Sequence, residues 1–309
     1  MSVSAIGADG LPGVPGDYHG RATRRLDNGR CWVDVLATGG PRIVGFGLSG
    51  RDNFLVETPQ ISWDAGYGTY DLLGGHRLWF APETSLCSVP DATGLTLTAI
   101  PDAAAPAVRL VGPVEGPTGL RRTMEIRLDA DSAAVTVHHV IANEGSGEIE
   151  LAPWGITQLR LGGVAVVPMA PEAKEHALQP NQVVALWPYA FWSDDRLHIG
   201  DRTLTVAGRP AKAFKVGCLD TSGVAAYLRD GLLFVLRFDP AVGAARADFG
   251  CNVEVYVDES AIELESLGPL ECLGPGEATA HDESWELREV EPGIDAAGVL
   301  DLLQARNRR

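Results

Sequence analysis

The stretch NVEVYVDESAIELESL, residues 252–267, alternates apolar and polar side chains on both sides of Asp258-Glu259-Ser260. Successive side chains of a strand point to opposite faces, so the pattern predicts a tight β-hairpin with its apolar side chains on one surface. With Asp258 and Glu259 as a two-residue turn, Val255 faces Ile262, Glu254 faces Glu263 and Asn252 faces Glu265. Three carboxylates then share the other surface. Like charges set opposite each other destabilise a sheet, so this surface asks for a cation, a hydrogen-bonded ligand or plain solvent. Lys215 is either that cation or an ordinary exposed strand lysine. No ligand spacing specifies a metal, and no cofactor is expected.

Short β-branched or alternating runs extend outward from this hairpin. In the first half they are Cys31–Ala37, Pro41–Phe46, Leu95–Ile100, Ala107–Val111, Leu120–Leu128 and Ala134–Asn143. In the second they include Glu148–Leu161, Val183–Leu186, Ala213–Val216, Val224–Arg229, Leu232–Phe238 and Ser284–Val290. Gly, Pro, Asp and Asn fill the gaps between them. Only Asp295–Arg306 has helical spacing, through Val299, Leu302 and Leu303. Many short strands without alternating helices predict an all-β chain, one large antiparallel β-sandwich with a short C-terminal helix. Residues 1–18 read as a flexible arm and 19–309 as a single domain.

The 309 residues are 45% hydrophobic and 21% charged, enough apolar material for a sizeable core. A net charge of −16 repels phosphate backbones and anionic lipid, so neither nucleic acid nor membrane is an expected partner. The five cysteines lack zinc-ligand or paired spacing and read as buried free thiols. The first residues have no apolar signal segment and no run reaches a membrane span, so a cytoplasmic location is expected.

Residues 67–83, YGTYDLLGGHRLWFAPE, crowd glycines, aromatics, His76, Arg77 and Trp79 together. Glycine admits close backbone approach, aromatic faces suit sugar rings and arginine offers a fan of donors. A structural loop whose histidine and arginine satisfy backbone carbonyls explains the composition equally well. Trp187, Tyr189 and Trp192 form a further cluster that reads as core packing or as an aromatic rim.

Leu264-Glu265-Ser266-Leu267, Leu273-Gly274-Pro275-Gly276-Glu277 and Ser284-Trp285-Glu286-Leu287 together resemble the C-terminal signature of the galactose mutarotases, the aldose 1-epimerases. Asn143 followed by Leu151–Leu159 is similar to an upstream strand of that family, with Trp154 where the family has its catalytic histidine. The Gly-Gly-His-Arg-Leu-Trp segment resembles a divergent branch. The resemblance implies a galactose mutarotase-like supersandwich, a small sugar or sugar derivative as partner, and Glu265 as the general base. Mutarotation needs a base for the anomeric hydroxyl and an acid for the ring oxygen. An indole cannot serve as that acid, so His76 is the candidate, with Arg77, Trp79, Trp154, Asn252, Glu254, Glu263 and Lys215 around the sugar.

Three functions fit this reading. An aldose 1-epimerase-like isomerase leads. A non-catalytic carbohydrate-binding or sensing protein follows from Trp154. A glycoside hydrolase or lyase would use Glu254 and Glu263 as paired carboxylates.

Overall fold

The structure, a computed structural model, describes residues 12–91, 93–101, 105–169, 178 and 181–306. The runs read from the sequence are strands, all paired antiparallel, in two large sheets. The first sheet runs Val14–Tyr18, Arg21–Asp27, Cys31–Leu36, Arg42–Leu48, His76–Ala81, Ile149–Leu159, Ile262–Leu267, Val253–Val257, Phe214–Cys218 and Val184–Leu186, with Glu271–Leu273 paired beside Ile149–Leu159. The second runs Leu197–Ile199, Thr203–Ala207, Val164–Pro168, Val224–Arg229, Leu232–Phe238, Ala278–Glu289, Ala134–Asn143, Leu120–Leu128, Ala107–Val111 and Thr96–Ala99. Glu57–Asp64 and Thr69–Gly74 form a separate two-stranded flap.

The inward side chains of the two sheets pack on each other. Trp285 is fully buried between Phe46 and Phe234, with ring centroids 5.8 and 5.9 Å away. Burying each such side chain stabilises the fold by roughly 1.5–3 kcal/mol. The C-terminal helix, Ala296–Arg306, sets Val299 and Leu303 against Val166, Val224 and Val235 on the second sheet. Its N-terminus is capped by Asp295, whose Oδ1 accepts from Gly298 N at 2.9 Å. Four cysteines are buried free thiols, whereas Cys272 is exposed.

Three features differ from the sequence reading. Residues 14–18, expected in a flexible arm, form a strand paired with Arg21–Asp27; residues 1–11 lie outside the described residues. In the acidic hairpin, Asp258 Oδ1 accepts from Ser260 N at 2.7 Å and Ala261 N at 3.1 Å, which builds a four-residue turn in place of the two-residue one. The register moves by two residues, so Glu254 lies opposite Glu265 and Tyr256 opposite Glu263, while each side chain keeps its face. Finally, the glycine-rich segment is two strands rather than a loop. Gly74 and Gly75 (φ +82° and +71°) turn the chain from the flap into the first sheet, and a Cβ on either would stand 2.1 Å from a backbone oxygen, that of Val56 or Ile43.

This turn sets which side chains of His76–Ala81 face which way. Gly75→Ala is expected to lower stability by on the order of 2–3 kcal/mol in urea denaturation, because positive φ and a backbone clash act together.

Candidate functional site

Residues opposite each other in antiparallel strands share a face. Arg77 lies opposite Ile156, which lies opposite Glu265; Gln158 lies opposite Glu263, then Tyr256, then Lys215. Arg77, Trp79, Trp154, Gln158, Glu263, Glu265, Glu254, Tyr256 and Lys215 therefore occupy the face turned away from the second sheet. A cleft of about 440 Å³ opens there. Its floor holds Arg77, Trp79, Trp154, Gln158, Lys215, Tyr256 and Glu263, and Trp63 of the flap with Trp187 and Tyr189 form its walls. Tyr189 and Trp192 are exposed, so the second aromatic cluster is a rim and not core.

Lys215 is the cation the acidic face requires. Its Nζ lies 2.7 Å from Glu254 Oε2 and 2.8 Å from Glu265 Oε2, and sits 4.3 and 4.7 Å from the ring centroids of Trp154 and Trp187. Burial works against this ammonium, but the two carboxylate charges outweigh it and raise its pKa. Trp154 Nε1 donates to the same Glu265 oxygen at 2.8 Å. Burial raises Glu254 well above the usual carboxylate range, against the pull of Lys215.

Of Glu254, Glu263 and Glu265, Glu263 is the one that lines the cleft, where Glu83 and Asp258 also contribute. Glu263 Oε1 accepts from Gln158 Nε2 at 2.7 Å and Arg77 Nη2 at 3.1 Å. Burial raises its pKa, opposed by Arg77 and reinforced by Glu265. Around it Gln158 Oε1 and Arg77 Nε and Nη1 are buried without hydrogen-bond partners. Gln158 and Tyr256 did not stand out in the sequence, though both share strand parity with the residues that did, Trp154 and Glu254.

The expected acid–base pair is not assembled. Glu265 lies beneath Lys215 and Trp154 and does not line the cleft. His76, one residue from Arg77, faces the second sheet, the opposite side of the first sheet from Glu265. Nor do Glu254 and Glu263 form an opposed pair, since Glu254 is sealed below the floor. Asn252 is a staple: its Oδ1 accepts from Asp220 N and its Nδ2 donates to Asp220 O, each at 2.8 Å.

Between the sheets, His76 belongs to a closed polar network. A carbonyl only accepts, so His139 Nδ1 carries the proton given to His281 O at 2.9 Å. His139 Nε2 then accepts from His76 Nε2 at 2.8 Å, and His76 Nδ1 accepts from the Thr157 hydroxyl at 2.9 Å. Ser266 Oγ joins His281 Nε2 to Glu283 Oε1, both at 2.6 Å, and Trp285 Nε1 donates to Glu283 Oε2 at 2.8 Å. Gly155 leaves room for the carboxyl, since a Cβ there would meet Glu283 Oε1 at 2.2 Å. Burial, with the neighbouring His281, pulls His139 down to about 3, burial pulls His281 to about 4, and burial lifts Glu283 to about 7. His76, His139 and Glu283 bring ligand-type atoms within 4.8 Å of one another, but the network already engages them.

Comparison with solved structures decides the fold. An Escherichia coli protein provisionally named an aldose 1-epimerase superimposes with a TM-score of 0.54 at 15% identity, over 87% of this chain and 99% of that one. The fold is that of the galactose mutarotases. A galactose mutarotase-like protein from Lactobacillus casei gives 0.52 at 11% identity, over 86% and 100%. A protein from Salmonella typhimurium, provisionally named a mutarotase, gives 0.58 at 9% identity, over 91% and 97%. No protein-family model and no curated protein matches the sequence. Among the described residues no helix is long and apolar enough to cross a membrane.

Two outcomes follow for the galactose mutarotase-like sandwich. Lys215→Met strands two buried carboxylates and is expected to cost about 3–5 kcal/mol in chemical denaturation near neutral pH. Glu283 has a folded pKa above its unfolded one, so its contribution is complete at low pH and is lost as pH rises through 7. Relative to Glu283→Gln, wild-type stability should fall by up to about 3 kcal/mol between pH 4.5 and pH 8.

Proposed function

We propose that the cleft binds a sugar, free or modified, and that the protein is a carbohydrate-binding member of this fold without the epimerase's acid–base pair. The observation that carries the reading is the cleft itself. Trp63, Trp79, Trp154 and Trp187 line it together with Gln158, Arg77 and Glu263, residue types whose flat faces and polar groups suit sugar rings and their hydroxyl groups. The names given to the similar structures, aldose 1-epimerase and mutarotase, agree with a sugar ligand. The carboxylate at the expected base position is engaged twice through one oxygen, by Lys215 and Trp154, and lies below the floor. Among the described residues no histidine lines the cleft.

One observation favours a second reading. Glu263 faces the cleft, and burial raises its pKa above that of an ordinary carboxylate, the direction that suits a group asked to hold and return a proton in slow mutarotation by a single bifunctional residue.

Saturation-transfer NMR against free aldoses, uronic acids and sugar phosphates, with anomer exchange followed in the same samples, tests both readings. The binding reading expects saturation transfer to a sugar, unchanged anomer exchange, and binding weakened about tenfold or more by Trp79→Ala. Accelerated exchange abolished by Glu263→Gln would establish the second reading. Absence of binding to every sugar would refute both.

A further inference from the structure

Beside the cleft, and sharing Arg77 and Trp79 with it, lies a smaller cavity that also takes Arg42, Glu115 and Arg122 into its lining. It sits where the segments around Gly40 and Gly112 meet, and neither glycine adds a side chain to fill it. Its volume of about 20 Å³ admits one or two water-sized groups.

The donors around it are unevenly satisfied. Arg42 is fully engaged: Nε with Asp91 at 2.5 Å, Nη1 with Leu72 O at 3.0 Å, and Nη2 with the Tyr70 hydroxyl at 2.6 Å. Arg122 uses only Nη1, 3.2 Å from Glu115 Oε1, and Arg77 only Nη2. Arg122 Nε and Nη2, and Arg77 Nε and Nη1, are buried and without partners, on residues only 7% and 5% exposed. Nε and Nη2 of one guanidinium form the planar edge that grips two oxygens at once. A buried charged donor left unpaired costs about 1–3 kcal/mol or more, so these atoms call for an occupant. Water has two acceptor sites, fewer than the four open nitrogens. A carboxylate or halide accepts from several donors at once; Arg42, Arg122 and Arg77 are each paired already, with Asp91, Glu115 and Glu263, so it is the unpaired N–H donors and not a surplus of charge that call for it.

We propose that this cavity is a binding site for a small monovalent anion, a carboxylate group or a halide, held between Arg122 and Arg77. Phosphate, sulfate and a sugar ring exceed its volume. The carboxylate is either a free one such as formate or the acid group of a ligand seated in the adjoining cleft.

Titration of ¹³C-formate with the full-length protein, followed by its NMR line width and shift, reads the site directly. Saturable binding is expected at constant ionic strength, competed by chloride and not by sulfate. Arg122→Lys keeps the charge but loses the two-pronged edge, and should weaken formate by about tenfold or more. Displacement of formate by glucuronate but not by glucose assigns the carboxylate to a cleft ligand; displacement by neither assigns it to a free anion. The size selectivity of the wild-type protein tests the site even if the variant fails to fold. Absence of saturable formate binding, or equal competition by sulfate and chloride, would overturn the proposal and leave the cavity to water.

Discussion

The ammonium of Lys215 holds the cleft floor together. Glu254 and Glu265 stand directly opposite each other on neighbouring strands, an arrangement that repulsion would disfavour in solvent and that burial alone would make worse. Lys215, reaching from the next strand, meets both carboxyl groups, and the rings of Trp154 and Trp187 cover it. The acidic face of the hairpin thereby becomes the closed base of a cleft. Trp154 contributes to the same closure, because its indole donates to the carboxylate that a base at this position would need free.

Much of this was legible in the sequence, and the losses have physical causes. Strands such as Leu120–Leu128, Ala134–Asn143 and Ile262–Leu267 were read to their ends, because alternation and turn residues specify them locally. The sharing of one face by Glu254, Glu263 and Glu265 survived a two-residue error in register, since a shift by an even number preserves faces. The error itself came from Asp258, whose side chain lengthens the turn. His76 was misplaced for the complementary reason. It is adjacent to Arg77, and adjacent residues in a strand lie on opposite faces, so only the strand that Gly74 and Gly75 initiate tells which of the two meets the cleft.

The two faces of the first sheet consequently carry two polar systems with different duties. On the inner side, His76, His139, His281, Ser266, Thr157 and Glu283 satisfy one another and link the sheets, a network whose histidines burial keeps uncharged. On the outer side, Gln158 and Arg77 keep buried groups without partners, and both line the cleft with Glu263. Completed bonding marks the first as structural, and the second, with groups left unpaired beside a cleft, is where the proposed ligand would sit. The sandwich shared with mutarotases supplies the scaffold, whereas the chemistry depends on which side chains reach this cleft.

A crystal structure of the protein soaked with an aldose at saturating concentration tests the account most directly. The account predicts a sugar in the cleft, stacked on its tryptophans and bonded to Glu263, Gln158 or Arg77, above an intact Lys215 bridge between Glu254 and Glu265. A sugar bonded to Glu265 through a displaced Lys215, or one bound elsewhere on the molecule, would contradict it.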